Sequence, residues 1–89
     1  MREQEIIERA NAALAAEFEL DIALMQPEAS FREDLGLDSL DAVDMVIVLE
    51  QEFGIKIGKD PAIAQIRKVA DLHAYVIAKK KALEDSAGG

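Results

Sequence analysis

The segment from Gly36 to Gly54 constrains the fold of this 89-residue chain more than any other. A glycine turn leads into Asp38, which can cap a helix, and Asp41 three residues later completes a capping box. Apolar residues then recur at helical spacing until Gly54, a residue type that commonly follows the last helical turn. The sequence therefore predicts an amphipathic helix from Ser39 to Phe53.

The two faces of this predicted helix differ in chemistry. The helical period places a core-facing stripe on one side, formed by Val43, Val46, Leu49 and Phe53. Three acids share the solvent face, namely Asp41, Asp44 and Glu52. Among the other apolar residues, Leu40 and Ile47 share a flank, Met45 lies at the edge, and Val48 lies among the acids. Val48 is either incidental there or a contact for a partner. Glu50 falls on the core-facing stripe, an unexpected place for a carboxylate.

Three more helices are predicted on similar grounds. The first runs from Glu3 to about Glu19, because apolar residues recur in it at helical spacing. Asp60 and Pro61 supply a cap and a helix-starting proline for a short helix that ends near Ile66. The last helix runs from about Val69 to Leu83, followed by a flexible tail at residues 84–89.

The long connection from about Leu20 to Leu37 needs anchoring, because structureless loops of that length are uncommon in small domains. Five apolar residues are predicted to hold it on the core: Leu20, Ile22, Met25, Phe31 and Leu35. The expected architecture is all-α, a small bundle of three main helices and one short helix in a single domain of residues 1–83.

Charge and composition exclude several function classes. The net charge is −8, and residues 1–54 hold fourteen acidic residues against three basic ones. This field repels nucleic acid and favours partners with basic patches, although it can also serve only to keep a protein in solution. The chain has no cysteine, no apolar run long enough to span a bilayer and no signal sequence at its start. We expect a cytoplasmic monomer without a membrane span.

Ser39 is the candidate reactive residue. It is predicted at a helix start, where the positive end of the dipole favours an attached phosphate. The only histidine of the chain, His73, is predicted in the last helix, and no nucleophile elbow surrounds the serine. The neighbouring aspartates lack the spacing of a calcium loop, so no metal site is predicted. A serine without its own base has to be modified by another enzyme.

The run FREDLGLDSLDAVDMVIVLEQEF, from Phe31 to Phe53, strongly resembles the acyl carrier proteins. The resemblance implies that Ser39 carries a 4′-phosphopantetheine arm, which a phosphopantetheinyl transferase attaches. It also implies that Asp38 lies close to the metal of that transferase. Acyl intermediates then ride as thioesters on the arm, and the protein itself is not an enzyme.

The resemblance further implies partners and a recognition helix. The partners are synthase, reductase and acyltransferase enzymes of fatty-acid, lipid or polyketide synthesis, which dock through basic patches. The recognition residues that it implies are Leu40, Asp41, Asp44, Met45, Ile47, Glu50 and Glu52. We add Val48 to the predicted recognition residues because of its place among the acids.

Two departures and three alternatives accompany this interpretation. Arg67 and Lys68 replace the threonine or serine that often caps the last helix, so its start is expected to be looser or shifted. Together with the lysines at 79–81 they form a basic side, which either indicates a specialised pathway or is solvated surface. The alternative functions are an aminoacyl or peptidyl carrier, a ubiquitin-like modifier using Gly88 and Gly89, and a structural adaptor.

Overall fold

The amphipathic segments form three α-helices, and each of the two loops between them contains a short 3₁₀ helix. The computed structural model describes the backbone of residues 1–88 and the side chains of residues 1–85. The α-helices are α1 (Glu3–Glu17), α2 (Ser39–Phe53) and α3 (Val69–Gly88), and the 3₁₀ helices span Ile22–Leu24 and Pro61–Gln65. The described residues form no strand beyond an isolated bridge between Ser30 and Lys68. The predicted all-α bundle is confirmed.

The helix bounds differ from the predicted ones at three places. α1 ends at Glu17, and Glu19 nearby has a positive φ of 54° that a continuing helix cannot accommodate. The short helix is of the 3₁₀ type and ends at Gln65. α3 continues five residues past Leu83 to Gly88. Gly89 lies outside the described residues, and the flexibility of the tail stays a prediction.

The core lies where α1 packs against both α2 and α3. Each helix contributes three residues to the hydrophobic core cluster at spacings of three or four, which is the helical period. They are Ile6, Ala10 and Leu14 from α1, Met45, Leu49 and Phe53 from α2, and Val69, Leu72 and Val76 from α3. Burial of these side chains is the main stabilising contribution, at about 25 cal/mol for each Å² of apolar surface removed from water.

The long connection between α1 and α2 is anchored by four of the five predicted residues. Met25, Phe31 and Leu35 are buried, and Leu20 is half-buried against the core. The prediction for Ile22 is wrong, since its side chain is 54% exposed. Ile22 begins the first 3₁₀ helix, none of whose residues is buried.

The start of α3 is fixed by the long connection rather than by a threonine or serine cap. The backbone N–H of Val69 donates to the carbonyl of Ala29 at 3.0 Å, and that of Ala70 donates to the carbonyl of Pro27 at 2.9 Å. A carboxylate oxygen of Asp71 accepts from the N–H groups of residues 67 and 68. These bonds satisfy amides that a helix start leaves without partners. α3 begins at Val69 as predicted, and the expectation that Arg67 and Lys68 would loosen or shift its start is wrong.

The three consecutive lysines of α3 each contact a different element. Lys79 pairs with Asp60 at 3.3 Å, ahead of the second 3₁₀ helix. Lys80 Nζ donates to the carbonyl of Phe53 at the end of α2, at 3.1 Å. Lys81 Nζ pairs with Glu3 at the start of α1, at 2.7 Å. These lysines therefore connect the bundle internally instead of forming only a free basic surface.

Candidate functional site

Ser39 is exposed and is the first residue of α2. Asp38 precedes it as the helix cap, and its Oδ1 accepts from the N–H groups of Leu40 and Asp41 at 2.9 and 3.2 Å. Asp41 Oδ2 accepts in return from the Asp38 N–H at 2.9 Å, so the predicted capping box is present. A cap of this kind contributes about 0.5–2 kcal/mol to helix stability.

The capping box changes how this helix start can receive a phosphate. A helix start ordinarily leaves its first N–H groups without partners, but those of Leu40 and Asp41 are bonded to Asp38. What α2 offers a phosphate on Ser39 is mainly the positive end of its dipole.

The turn before Ser39 is built by Gly36 and Leu37. Gly36 has a φ of +70°, a left-handed conformation in which a side chain would be strained, although a Cβ there would meet no neighbour. Leu37 is buried, and its N–H donates to the carbonyl of Phe31 at 2.8 Å. The turn is thus held to the long connection, which fixes where Ser39 lies.

An apolar cleft of about 710 Å³ opens beside Ser39. Its first wall is the face of α2 that carries Ala42, Val43, Val46 and Ile47, and its second wall is the loop and 3₁₀ helix of residues 58–66. Phe31 and Leu37 close the end nearest the serine, and Arg32 and Lys59 are the cations of the lining. Sites for small ligands have this size and mostly apolar character.

The cleft continues toward the core. A smaller cavity of about 40 Å³ shares five lining residues with the cleft: Ala42, Met45, Val46, Ile63 and Ile66. Its other lining residues are Leu49 and Leu72, which belong to the core. The apolar lining of the cleft is therefore continuous with Leu49 of α2 and Leu72 of α3.

His73 packs between α1 and α3. Its ring is buried, and Nε2 lies 2.6 Å from Oδ1 of Asn11. Burial lowers the pKa of His73 below its ordinary value, so the ring is neutral at pH 7. Since His73 does not line the cleft, it is no base for Ser39.

Besides Asp41, whose carboxylate belongs to the capping box, two more acids assigned to the recognition helix have partners inside the molecule. Glu50 Oε2 accepts from the N–H groups of Ile57 and Gly58 at 2.8 and 3.0 Å, and these bonds lower the pKa of Glu50. This explains its place on the inner side of α2, because it holds the following turn. Glu52 is not on a free solvent face as expected, since it pairs with Arg9 of α1 at 3.0 Å.

α2 is rotated relative to its predicted orientation. Its buried stripe is centred on Leu49, with Met45 and Phe53 on either side, while Val43 is 60% exposed. Val43 was assigned to the core, and that prediction is wrong. Val46 and Val48 are half-buried and pack against the core.

The rotation leaves an exposed apolar stripe next to Ser39. It consists of Leu40, Val43 and Ile47, which are 79%, 60% and 46% exposed. Their spacing places them on one side of α2, and the exposed carboxylate of Asp44 accompanies them. Val43 could not be assigned to this stripe from the sequence, because its spacing also fits the core.

Neither a cluster of metal-ligating side chains nor a membrane-spanning helix is found in the described part of the chain. Among residues 1–88 no group of three His, Cys, Asp or Glu residues is arranged to hold a metal ion. None of the described helices combines the length and apolar character needed to cross a bilayer.

Comparison with known proteins shows to which family this chain is similar. Residues 9–76 match the family described as phosphopantetheine attachment site. The chain is 38% identical to the acyl carrier protein of Thermosynechococcus vestitus, over 85% of this chain and 93% of that one. With the acyl carrier protein of Nitratidesulfovibrio vulgaris it shares 52% identity over 58% of this chain and 67% of that one.

A solved structure agrees with these relatives. The crystal structure of an acyl carrier protein from Thermotoga maritima superimposes with a TM-score of 0.77 at 34% identity, and covers 93% of this chain and 95% of that one. The fold and the site together define a carrier domain with a phosphopantetheine attachment site. The chain belongs to the acyl carrier protein family, whose cofactor is 4′-phosphopantetheine.

Proposed function

We propose that this protein carries 4′-phosphopantetheine on Ser39 and presents acyl intermediates to enzymes of fatty-acid, lipid or polyketide synthesis. The arm, when bound, supplies the thiol that holds an acyl group as a thioester. The observation that carries the proposal is the position of Ser39, exposed at the start of α2 beside the apolar cleft. In this proposal the protein acts in the cytoplasm and has no catalytic activity of its own.

Each part of the site has a task in this function. Ser39 supplies the hydroxyl oxygen of the phosphodiester, and the positive end of the α2 dipole favours the phosphate charge. Because His73 is occupied elsewhere, the transferase has to supply the base that accepts the hydroxyl proton. The cleft between α2 and residues 58–66 then covers apolar cargo and keeps water away from it.

Partner enzymes dock on the exposed stripe of Leu40, Val43 and Ile47 together with Asp44. An apolar centre with charge beside it suits a transient interface, in which complementary charge accelerates encounter and apolar contact holds the complex. We leave Asp41, Glu50 and Glu52 out of this surface, because their carboxylates already bind residues of the same chain.

The attachment is tested by mass spectrometry of the intact protein after incubation with coenzyme A and a phosphopantetheinyl transferase. The parent should gain one phosphopantetheinyl group and Ser39→Ala none. Ser30→Ala is the matched control, since Ser30 lies in the preceding loop and its Oγ accepts from the N–H of Glu33. Loading that survives in Ser39→Ala, or disappears in Ser30→Ala alone, would refute the assignment.

A further inference from the structure

The second wall of the cleft is only weakly packed. Its 3₁₀ helix, Pro61–Gln65, contains no buried residue, and only Ile63 and the following Ile66 pack partly against the core. α2, by contrast, places three residues in the core. A segment with so few buried contacts opens at a lower free-energy cost than the helices around it.

Polar contacts of Asp60 hold the N-terminal end of this 3₁₀ helix. Asp60 Oδ1 accepts from the N–H of Ala62 at 3.0 Å and so caps the 3₁₀ helix. Asp60 Oδ2 accepts from the hydroxyl of Tyr75 at 2.7 Å and lies 3.3 Å from Nζ of Lys79. The same Nζ lies 5.6 Å from the centre of the Tyr75 ring, within reach of a cation–π contact.

The protonation states of Asp60 and Tyr75 favour the hydrogen bond between them. The hydrogen bond from Tyr75, and next the one from Ala62, lowers the pKa of Asp60, so the carboxylate is charged at neutral pH. Burial, and next the bond to Asp60, raises the pKa of Tyr75, so its hydroxyl keeps its proton. Hydrogen bonds to a charged acceptor are stronger than neutral ones.

We infer that Asp60, Tyr75 and Lys79 form a latch that fastens the wall of the cleft to α3 and sets how readily the cleft opens around an acyl chain. Asp60 is both the cap of the 3₁₀ helix and a lining residue of the cleft, so releasing it frees the start of that helix, while Glu50 still holds Ile57 and Gly58. The latch makes Tyr75 and Lys79 positioning residues for cargo they do not touch. This inference rests on the proposed function for the identity of the cargo.

Tyr75→Phe tests the latch, because it removes the hydroxyl and keeps the ring. Lys81→Met is the matched control, since it removes a contact of α3 to Glu3 at the start of α1, and neither residue lines the cleft. Amide hydrogen exchange on the unmodified proteins should show the N–H groups of Ile63 and Ile66 exchanging roughly tenfold faster in Tyr75→Phe. The amides at the centre of α2 should be unchanged, and the control should match the parent at both places.

The second measurement uses proteins loaded with short and long saturated acyl groups. The rate of thioester cleavage by hydroxylamine reports how well the cleft covers the cargo. We expect long chains to be protected in the parent, and several-fold less protected in Tyr75→Phe, with little change for short chains. Asp60→Asn should weaken protection in the same way, since it removes the charge and keeps a capping side chain.

The outcomes separate the latch from the proposed function. Normal loading of Ser39 with equal protection in parent and Tyr75→Phe overturns the latch and leaves the function standing. Equal exchange of Ile63 and Ile66 in the two proteins also overturns it, as does a loss of protection in Lys81→Met as large as in Tyr75→Phe. A parent that accepts no arm on Ser39 overturns the proposed function and the cargo role of the latch together.

Discussion

At the scale of single residues, side chains around the site have more tasks than their positions in the sequence suggest. Asp38 and Asp41 cap α2 through each other, and Glu50 holds the turn that leads to the second wall of the cleft. His73 fills the interface of α1 and α3 instead of acting on Ser39. These three carboxylates therefore hold the structure of the site, and their hydrogen bonds leave them less available for contacts with a partner.

The buried histidine gives a prediction about pH. Unfolded His73 has the ordinary pKa near 6.5, and the pKa is lower in the fold. The unfolded chain thus takes up the proton first, so stability is full above pH 6.5 and is lost as the pH falls through the lower, folded value. Each unit of difference between the two values corresponds to about 1.4 kcal/mol.

His73→Gln should remove this loss, since glutamine can still bond Asn11 but does not titrate. Thermal melts of parent and variant between pH 7.5 and 5 check it, and the difference between the two curves is the quantity of interest. Taking the difference cancels the effect of all other titrating groups. Parallel curves over this range would count against a destabilising charge on His73.

At the scale of elements, the limits of α2 could be predicted but its orientation could not. Its glycine turn, cap and glycine stop are local signals, and the helix has the bounds that they predict. Two apolar stripes of similar spacing lie next to each other on this helix, one through Val43 and Val46 and the other through Met45 and Leu49. Which of them faces the core depends on where α1 and α3 lie, and local sequence does not contain that information.

The cleft, too, could be predicted only in part from the sequence. The place of Asp38 and Ser39 at the start of α2 could be predicted from the motif, whereas the second wall depends on contacts between residues far apart in the chain. The hydroxyl of Tyr75 reaches back 15 residues to Asp60, and Arg9 reaches Glu52 across 43 residues. No periodicity in the sequence records such pairs.

Asp44, the exposed carboxylate beside the apolar stripe of α2, gives a prediction about the association of the protein with partner enzymes. Asp44→Lys should slow association with a basic partner enzyme at low salt, and the effect should shrink at high salt. Glu17→Lys is the control, since it makes the same change of charge at an exposed position at the end of α1. Association rates measured by stopped flow at two salt concentrations give the comparison, and equal slowing by both variants would argue for a general charge effect.

At the scale of the whole molecule, stability depends on a small core. A domain of this size buries only about 60–65% of the surface that its unfolded chain exposes. α3 compensates in part, because its lysines connect it to the start of α1, the end of α2 and the turn before the second 3₁₀ helix. Little stability is left in reserve, on the order of 5–10 kcal/mol for such a chain.

Two leucines of α2 make this dependence measurable. Leu49 is 1% exposed and Leu40 is 79% exposed. Leu49→Ala should lower the free energy of unfolding by about 2–5 kcal/mol through lost burial and a cavity. Leu40→Ala should change it by less than about 0.5 kcal/mol. Urea unfolding followed by circular dichroism compares the two, and similar losses would contradict the observed orientation of α2.

The closed capping box also bears on the proposed attachment of the arm to Ser39 by the transferase. Ordering the backbone of one free residue costs about 1–2 kcal/mol of conformational entropy. In the folded domain the backbone around Ser39 is already fixed by Asp38, Asp41 and the bond from Leu37 to Phe31. A short peptide with the same residues would lose that freedom on binding. The domain thus offers the transferase a serine that is ordered before the enzyme arrives.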